Sequence, residues 1–392
     1  MFESIYVGLS GLIGFSKGLN VLSNNVANLN TPGYKSSQLQ FLDLYYQLQS
    51  SGGESFAQIG NGVNTGATNL DTTQGDLRET GNDLDLAIDG AGFFVLRDEG
   101  ETFYTRAGQF EFDADGFLVE RSNKARVAAL SGQNNLRDIN INGLRTNPPS
   151  ATSAVTFTGN LSSGDTQHVV TNTTIFDALG GAQVLTLTFD NNNSNVAGSW
   201  NVTVNDATGT IASGQIQFVN GVPVAGANSI TFNYAPAGVG ATSVTLDFDQ
   251  DVTSFSAGND STLTVNTQNG FSAGALTTAT FDDDGFLTLS YSNNQTTRQD
   301  RIALASFENI NALQVTGGNT FTNRSGQTPL FGNPNESLFG NVVARSIEIS
   351  NVDLTQQFSD LIVTQRGYQA SSQVISTANE MIQQLFDIKG RR

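Results

Sequence analysis

Residues 354–388, LTQQFSDLIVTQRGYQASSQVISTANEMIQQLFDI, decide the fold. Steps of four and three lead through Leu354, Phe358, Leu361, Gln365, Tyr368, Ser372, Ile375, Asn379, Ile382 and Phe386, and seven of these ten positions are apolar. That spacing is a heptad seam of period about 3.5. A second stripe, Val374, Ala378, Met381, Leu385 and Ile388, runs beside it. Ser350, Asn351 and Asp353 just upstream are helix-capping types, and Gly390 follows the last periodic residue. The stretch predicts one helix of about 35 residues, roughly 50 Å long. Gly367 lies inside it and weakens it by about 1 kcal/mol relative to Ala.

The opening of the chain repeats the spacing at Ile5, Leu9, Leu12, Ser16, Leu19 and Val26, with Leu22 and Leu29 widening the stripe. Gly8, Gly11, Gly14 and Gly18 make it a poor helix in isolation. It ends at Asn30-Thr31-Pro32-Gly33, where Pro and Gly occupy the two central positions of a type II turn. Two such helices gain lasting stability only when a partner covers their apolar stripes. The pattern leaves two arrangements open. The helices pair within one molecule as a coiled coil, or they stay loose and pack against other copies.

Between these ends the period changes. Ser50 to Gly66 holds Gly52, Gly53, Gly60, Gly62 and Gly66, so residues 36–75 are expected to be a linker or extended segment. Alternating runs such as Leu84–Ile88, Phe93–Leu96 and Gln109–Phe112 then predict strands. From Arg145 to Arg298 the charge text shifts: no Lys, Arg or Glu occurs between them, only scattered Asp. That boundary marks a separate domain, whose runs Val184–Phe189 and Val244–Phe248 predict a β-sandwich or barrel. Beyond it, Phe281-Asp-Asp-Asp-Gly-Phe-Leu287 echoes Phe112-Asp-Ala-Asp-Gly-Phe-Leu118. The expected class is mixed α and β, with terminal amphipathic helices in a coiled-coil-like domain (1–35 and 350–392). Two mainly-β domains nest by insertion, a split one at 76–146 and 279–349 and an inserted one at 147–278.

Composition excludes several chemistries. The 392 residues include 18 basic and 36 acidic side chains, a net charge of −18. So acidic a surface argues against nucleic acid and anionic membranes as partners. With no Cys, disulfides and thiol catalysis are absent, and the single His168 argues against a His-built metal site or triad. The Asp-x-Asp-Gly pairs read as turns: calcium loops need Gly sixth and Glu twelfth, and Lys124 stands twelfth from Asp113. Asp247, Asp249 and Asp251 read as one solvated edge of a strand end. Asp83, Asp85 and Asp89 are the first candidates for paired-carboxylate chemistry, but Trp200 is the sole Trp to line a cleft. Gly81, Gly90 and Gly92 precede no helix pattern that could cradle phosphate. No catalytic residue, cofactor or metal is expected. No transmembrane helix is expected, since no apolar run approaches about 18 residues, and Glu3 stands where a signal peptide is basic.

Three blocks resemble the bacterial flagellar rod and hook proteins. They are Gly8–Leu12 with Asn24–Lys35; Leu84–Phe94 with Tyr104–Gly108; and Ser350–Leu354 with Gln365–Ala370 and Val374–Ala378. The resemblance covers roughly the first 145 and last 110 residues, and the inserted middle matches nothing quotable. It implies a non-enzymatic structural subunit, exported by the type III apparatus without a cleaved signal and located in the flagellum. Because hook members carry a large insertion, it implies a subunit of the flexible tube that joins rod to filament and transmits torque. Implied partners are further copies of itself, rod and hook–filament junction proteins, the hook cap and the export apparatus. The residues expected at subunit interfaces are Ile5, Leu9, Leu12, Leu19, Val26, Leu354, Phe358, Leu361, Tyr368, Ile375, Ile382 and Phe386, with Pro32 and Gly33 setting the turn. Thr31-Pro32-Gly33-Tyr34 is closer to rod and junction proteins, which keeps a distal-rod or other axial subunit as the alternative. A secreted β-rich adhesin with a helical oligomerisation stalk is the alternative of another class.

Overall fold

The computed structural model describes residues 2–44, 46–50, 56–132, 135–249, 251–324, 326–336 and 338–390. Two compact units emerge. One is Met1–Asn142, Ala279–Thr288 and Arg298–Arg392; the other is Gly143–Thr278 and Leu289–Thr297.

The first unit carries both long helices, α1 (Phe2–Ala27) and α2 (Leu354–Gly390). Asp353 caps α2: its Oδ1 accepts the Thr355 and Gln356 amides at 2.8 and 3.2 Å, satisfying two orphan donors of the first turn. Between α1 and the β body stand β1 (Ser37–Asp43), β2 (Tyr46–Ser50), β3 (Phe56–Gly60) and β4 (Val63–Leu70). β1 pairs antiparallel with β4, and β2 with β3. Of the two forms expected at 36–75, linker or extended segment, the described residues take the extended one, as a ribbon of paired strands. Gly60 ends β3, Gly62 falls between β3 and β4, and Gly66 lies inside β4 near the register shift between Leu39 and Phe41. Gly52 and Gly53 of that stretch lie outside the described residues.

The body of this unit is a sheet ordered Gln314–Gly317, Thr320–Thr322, Glu101–Thr105, Phe93–Asp98, Arg126–Leu130, Leu118–Glu120, Phe110–Phe112. Segments far apart in sequence meet in this unit. Ser346–Glu348 pairs with Leu77–Glu79 and Asn341–Ala344 with Leu86–Asp89 as separate two-stranded sheets, and Leu304 and Ala305 pair with Phe94 and Phe93 within the main sheet. Tyr104 and Phe307 meet edge to face at 4.7 Å in its core. The echoed Asp-Gly motifs form matching turns. Asp113 Oδ1 accepts the Phe117 amide at 2.8 Å and Asp282 Oδ1 the Phe286 amide at 2.9 Å.

In the second unit, two five-stranded sheets enclose one apolar core that includes Phe157, Phe189, Trp200 and Phe248. Its long strands alternate buried and exposed positions, as in Ser229–Tyr234. Leu289–Thr297, expected with the split domain, belongs to this unit. Asp247 ends its strand and Val252 N–H closes a turn on Asp249 O at 3.0 Å. Asp249 and Asp251 therefore lie beyond the strand that Asp247 ends, so the three do not share one strand edge.

One expectation about the helices is corrected. Glu3–Ala27 is long and apolar enough to cross a membrane by length and composition, with a mean hydropathy of 1.3. Ser and Asn interrupt the apolar run, but Gly is nearly neutral and Lys17 is the only charge after Glu3, so the average stays high.

Candidate assembly interface

α1 turns glycine, rather than its Leu and Ile stripe, toward its neighbours. Gly8, Gly11, Gly14, Gly18 and Asn25 are its buried positions. A Cβ on Gly8 would lie 2.8 Å from Ile375 Cγ1, on Gly11 2.6 Å from Ser371 Oγ, and on Gly18 3.3 Å from Thr364 Cγ2. Asn25 Nδ2 donates to Gln357 Oε1 at 3.0 Å. Partner numbers fall as α1 numbers rise, so the helices run antiparallel. Small side chains let the two backbones approach closely, which is why a stretch with weak helical propensity is helical here. Gly367 serves the same end from α2, since a Cβ there would stand 2.6 Å from Phe15 Cζ. On its other side α1 meets the ribbon. The Phe15 and Phe41 rings lie 5.6 Å apart, tilted by 44°, and Lys17 Nζ donates to Thr65 Oγ1 at 3.0 Å.

The expected interface residues divide accordingly. Leu361, Ile375 and Ile382 are half-buried and share the α1-facing side of α2 with Gln357, Thr364 and Ser371. Ile5, Leu12, Leu19 and Val26 are half-buried too, whereas Leu9, Leu354, Phe358, Tyr368 and Phe386 are exposed. Of the second stripe only Ala378 is buried. Sequence spacing alone missed further uncovered apolar groups: Tyr6 is 70% exposed and Val363 68%, as bare as the expected Phe386 at 69%. Ile13 and Ile362 join them. Both helices thus keep an apolar face with no cover.

The root of the pair is held by polar groups. Tyr34 N–H reaches Thr31 O at 3.3 Å and Gly33 has φ +69°, the geometry Gly permits at the third turn position. A Cβ on Gly33 would press to 2.5 Å from the Ala107 amide nitrogen. Next to it, Lys35 Nζ contacts Glu348 Oε1 at 2.5 Å and Thr73 O at 2.7 Å. Arg106 Nη1 reaches Glu348 Oε2 at 3.2 Å, and the Gly75 amide donates to Oε1 at 2.9 Å. All three charged side chains are buried. Burial pushes the Lys35 ammonium and the Arg106 guanidinium below their ordinary pKa, and Glu348 pulls both back up. Asn351 completes the root: Oδ1 accepts the Ser36 amide at 2.7 Å and Nδ2 donates to Asp71 O at 3.0 Å. Lys35, Arg106 and Asn351 stand inside the three quoted sequence blocks, although spacing gave them no role.

The carboxylates considered for chemistry hold local structure instead. Asp83 pairs with Arg345 at 2.7 Å, Asp85 with Arg121 at 3.0 Å, and Asp89 accepts from Gln74 at 3.3 Å. His168 Nε2 lies 2.8 Å from Leu263 O, and Trp200 is core. Among the described residues no three His, Asp or Glu side chains gather to hold a metal ion.

Three family descriptions match in chain order. "Flagella basal body rod protein" covers residues 5–35, "Flagellar hook protein FlgE/F/G D1 domain" 87–161, and "Flagellar basal body rod FlgEFG protein C-terminal" 343–388. They put the chain among the flagellar rod and hook proteins, the class its paired terminal helices and β body had outlined. Flagellar hook protein FlgE of Borreliella burgdorferi is 31% identical over 447 residues, spanning 99% of this chain and 100% of that protein. Its Escherichia coli counterpart is 30% identical over 413 residues, spanning 97% and 98%. Among solved structures, Helicobacter pylori FlgE2 superposes with a TM-score of 0.49 at 14% identity, covering 69% of this chain and 100% of that one. The chain belongs to the flagellar hook protein family and is a subunit of the flagellar hook. A structural family of this kind implies a non-enzymatic role.

Proposed function

We propose that copies of this chain polymerise through the uncovered faces of α1 and α2 into a flexible tube that joins rod to filament and carries torque. The carrying observation is the apolar surface that the helix pair leaves exposed, from Tyr6 and Ile13 on α1 to Phe358 and Phe386 on α2. A repeated contact between unlike faces adds subunits without closing. In this reading the helix pair acts as a coiled-coil-like inner element, and the split β domain grips its root through Lys35, Glu348 and Arg106. The inserted domain at 147–278, free of Lys and Arg, supplies contacts between copies that slide as the tube bends. Family membership supports export by the flagellar type III apparatus without signal cleavage, and contact with rod, junction and cap proteins. Electron microscopy of the concentrated full-length chain tests the proposal. Tubes are expected; a chain that stays monomeric or forms only discrete oligomers at every concentration would refute it.

A further inference from the structure

We infer that the groove where α1, α2 and the ribbon meet receives the C-terminal turns of α2 from a second copy, stacking helix pairs head to tail. The inference rests on the assembly reading above and names the surface used. The groove measures about 720 Å³. Leu22, Leu39, Phe41 and Val363 are among its apolar lining, Asp71 and Asp360 supply its charge, and no Lys or Arg lines it. It lies beside the first turns of α2. At the far end of the same helix Met381, Leu385, Phe386 and Ile388 are uncovered, and the sequence then reads Lys389-Gly390-Arg391-Arg392. An apolar knob followed by basic sequence thus matches an apolar trough edged with carboxylates, in both hydrophobicity and sign of charge.

The knob cannot fill its own groove, because Leu385 stands 22 positions beyond Val363, about 33 Å along the helix axis. The occupant must be another copy. Copies joined in the same direction repeat without closing, whereas an opposed pair would close as a dimer. A hook subunit requires the first.

The chain has no Cys, so thiols can be placed at will. Gln38 lines the groove and is exposed, and Leu385 lies in the knob. Gln38→Cys and Leu385→Cys are made singly and together in the full chain, polymerised, and treated with a short bifunctional thiol reagent. Mixed single variants are expected to give covalent dimers, and the double variant a ladder of multimers. Tubes that form without either cross-link would overturn the groove assignment while leaving the assembly reading intact. A double variant that stops at dimers would overturn head-to-tail stacking. Wild-type protein that never polymerises, with no cross-link in any mixture, would remove both readings.

Discussion

Gly8 of α1 and Ile375 of α2 leave no room for a side chain between them: a Cβ on Gly8 would stand 2.8 Å from Ile375 Cγ1 and 3.2 Å from the Ser371 carbonyl oxygen. A Gly in a helix ordinarily costs about 1 kcal/mol relative to Ala, so adding side chains there should help an isolated helix. Packing reverses the sign, because overfilling a tight contact costs about 1–3 kcal/mol. Gly8→Val should therefore lower the melting temperature and reduce helical circular dichroism. Gly81→Ala, where nothing lies within 4 Å of the added carbon, should leave both unchanged. Equal behaviour of the two variants would argue against close helix contact.

Glu348 balances two buried cations, and its carboxylate also accepts the Gly75 amide. Glu348→Gln leaves Lys35 and Arg106 buried without their counter-charge, a loss of about 3–5 kcal/mol in chemical denaturation. The loss should shrink on the alkaline side. Lys35 already has a folded-state pKa below its ordinary 10.5. Between that lowered value and 10.5 the unfolded chain binds more protons than the folded one, so stability rises with pH there. Without Glu348 the window widens downward. A variant whose stability tracks wild type across the alkaline range would contradict this account.

In the second unit, Asp177 Oδ1 accepts the Leu179 and Gly181 amides at 2.9 and 2.8 Å. The Gly181 amide is the main cause that holds its carboxyl below the ordinary 3.8, with Gln183 adding to it. A depressed carboxylate contributes stability above about pH 4 and loses it as pH falls through the folded value. Asp177→Asn should cost about 1 kcal/mol near neutrality and flatten the acid limb of the stability curve. An unchanged limb would show that this turn does not couple to unfolding.

The helices were legible because a period near 3.5 persists through Leu354, Phe358 and Leu361, and because Asp353 is a cap wherever a helix follows it. Strands such as Phe93–Asp98 were legible as short apolar runs between glycines. What spacing could not tell was which face of each helix is inside. Hydrophobicity pointed to Leu9 and Phe358, while close approach selected Gly8, Gly11 and Ser371, residues with almost no hydrophobic signal. The Lys35, Glu348 and Arg106 cluster was hidden for another reason: Glu348 lies 313 positions from Lys35 and 242 from Arg106, and only the tertiary fold brings it to them. At 36–75 the glycines left linker and extended segment equally open, because only a pairing partner turns such a stretch into strands.

Phe358 and Leu361 separate folding from assembly. They are one turn apart on α2, yet Phe358 is exposed and Leu361 is half-buried toward α1. Phe358→Asp changes a side chain that is 49% exposed in the single molecule, so the melting temperature should fall far less than with Leu361→Asp. In a tube it would bury a charge where an aromatic ring was covered. Burying a side chain of that size contributes about 1.5–3 kcal/mol, so its loss alone should raise the critical concentration for polymerisation roughly 10- to 150-fold. Leu361→Asp should do both kinds of damage, loosening the helix pair in the monomer and blocking polymerisation, while the β units stay folded. Sedimentation of polymer against free subunit, read beside thermal melts of the same samples, checks the contrast. If Phe358→Asp polymerised at the wild-type concentration, the exposed face of α2 would not be the surface on which copies meet.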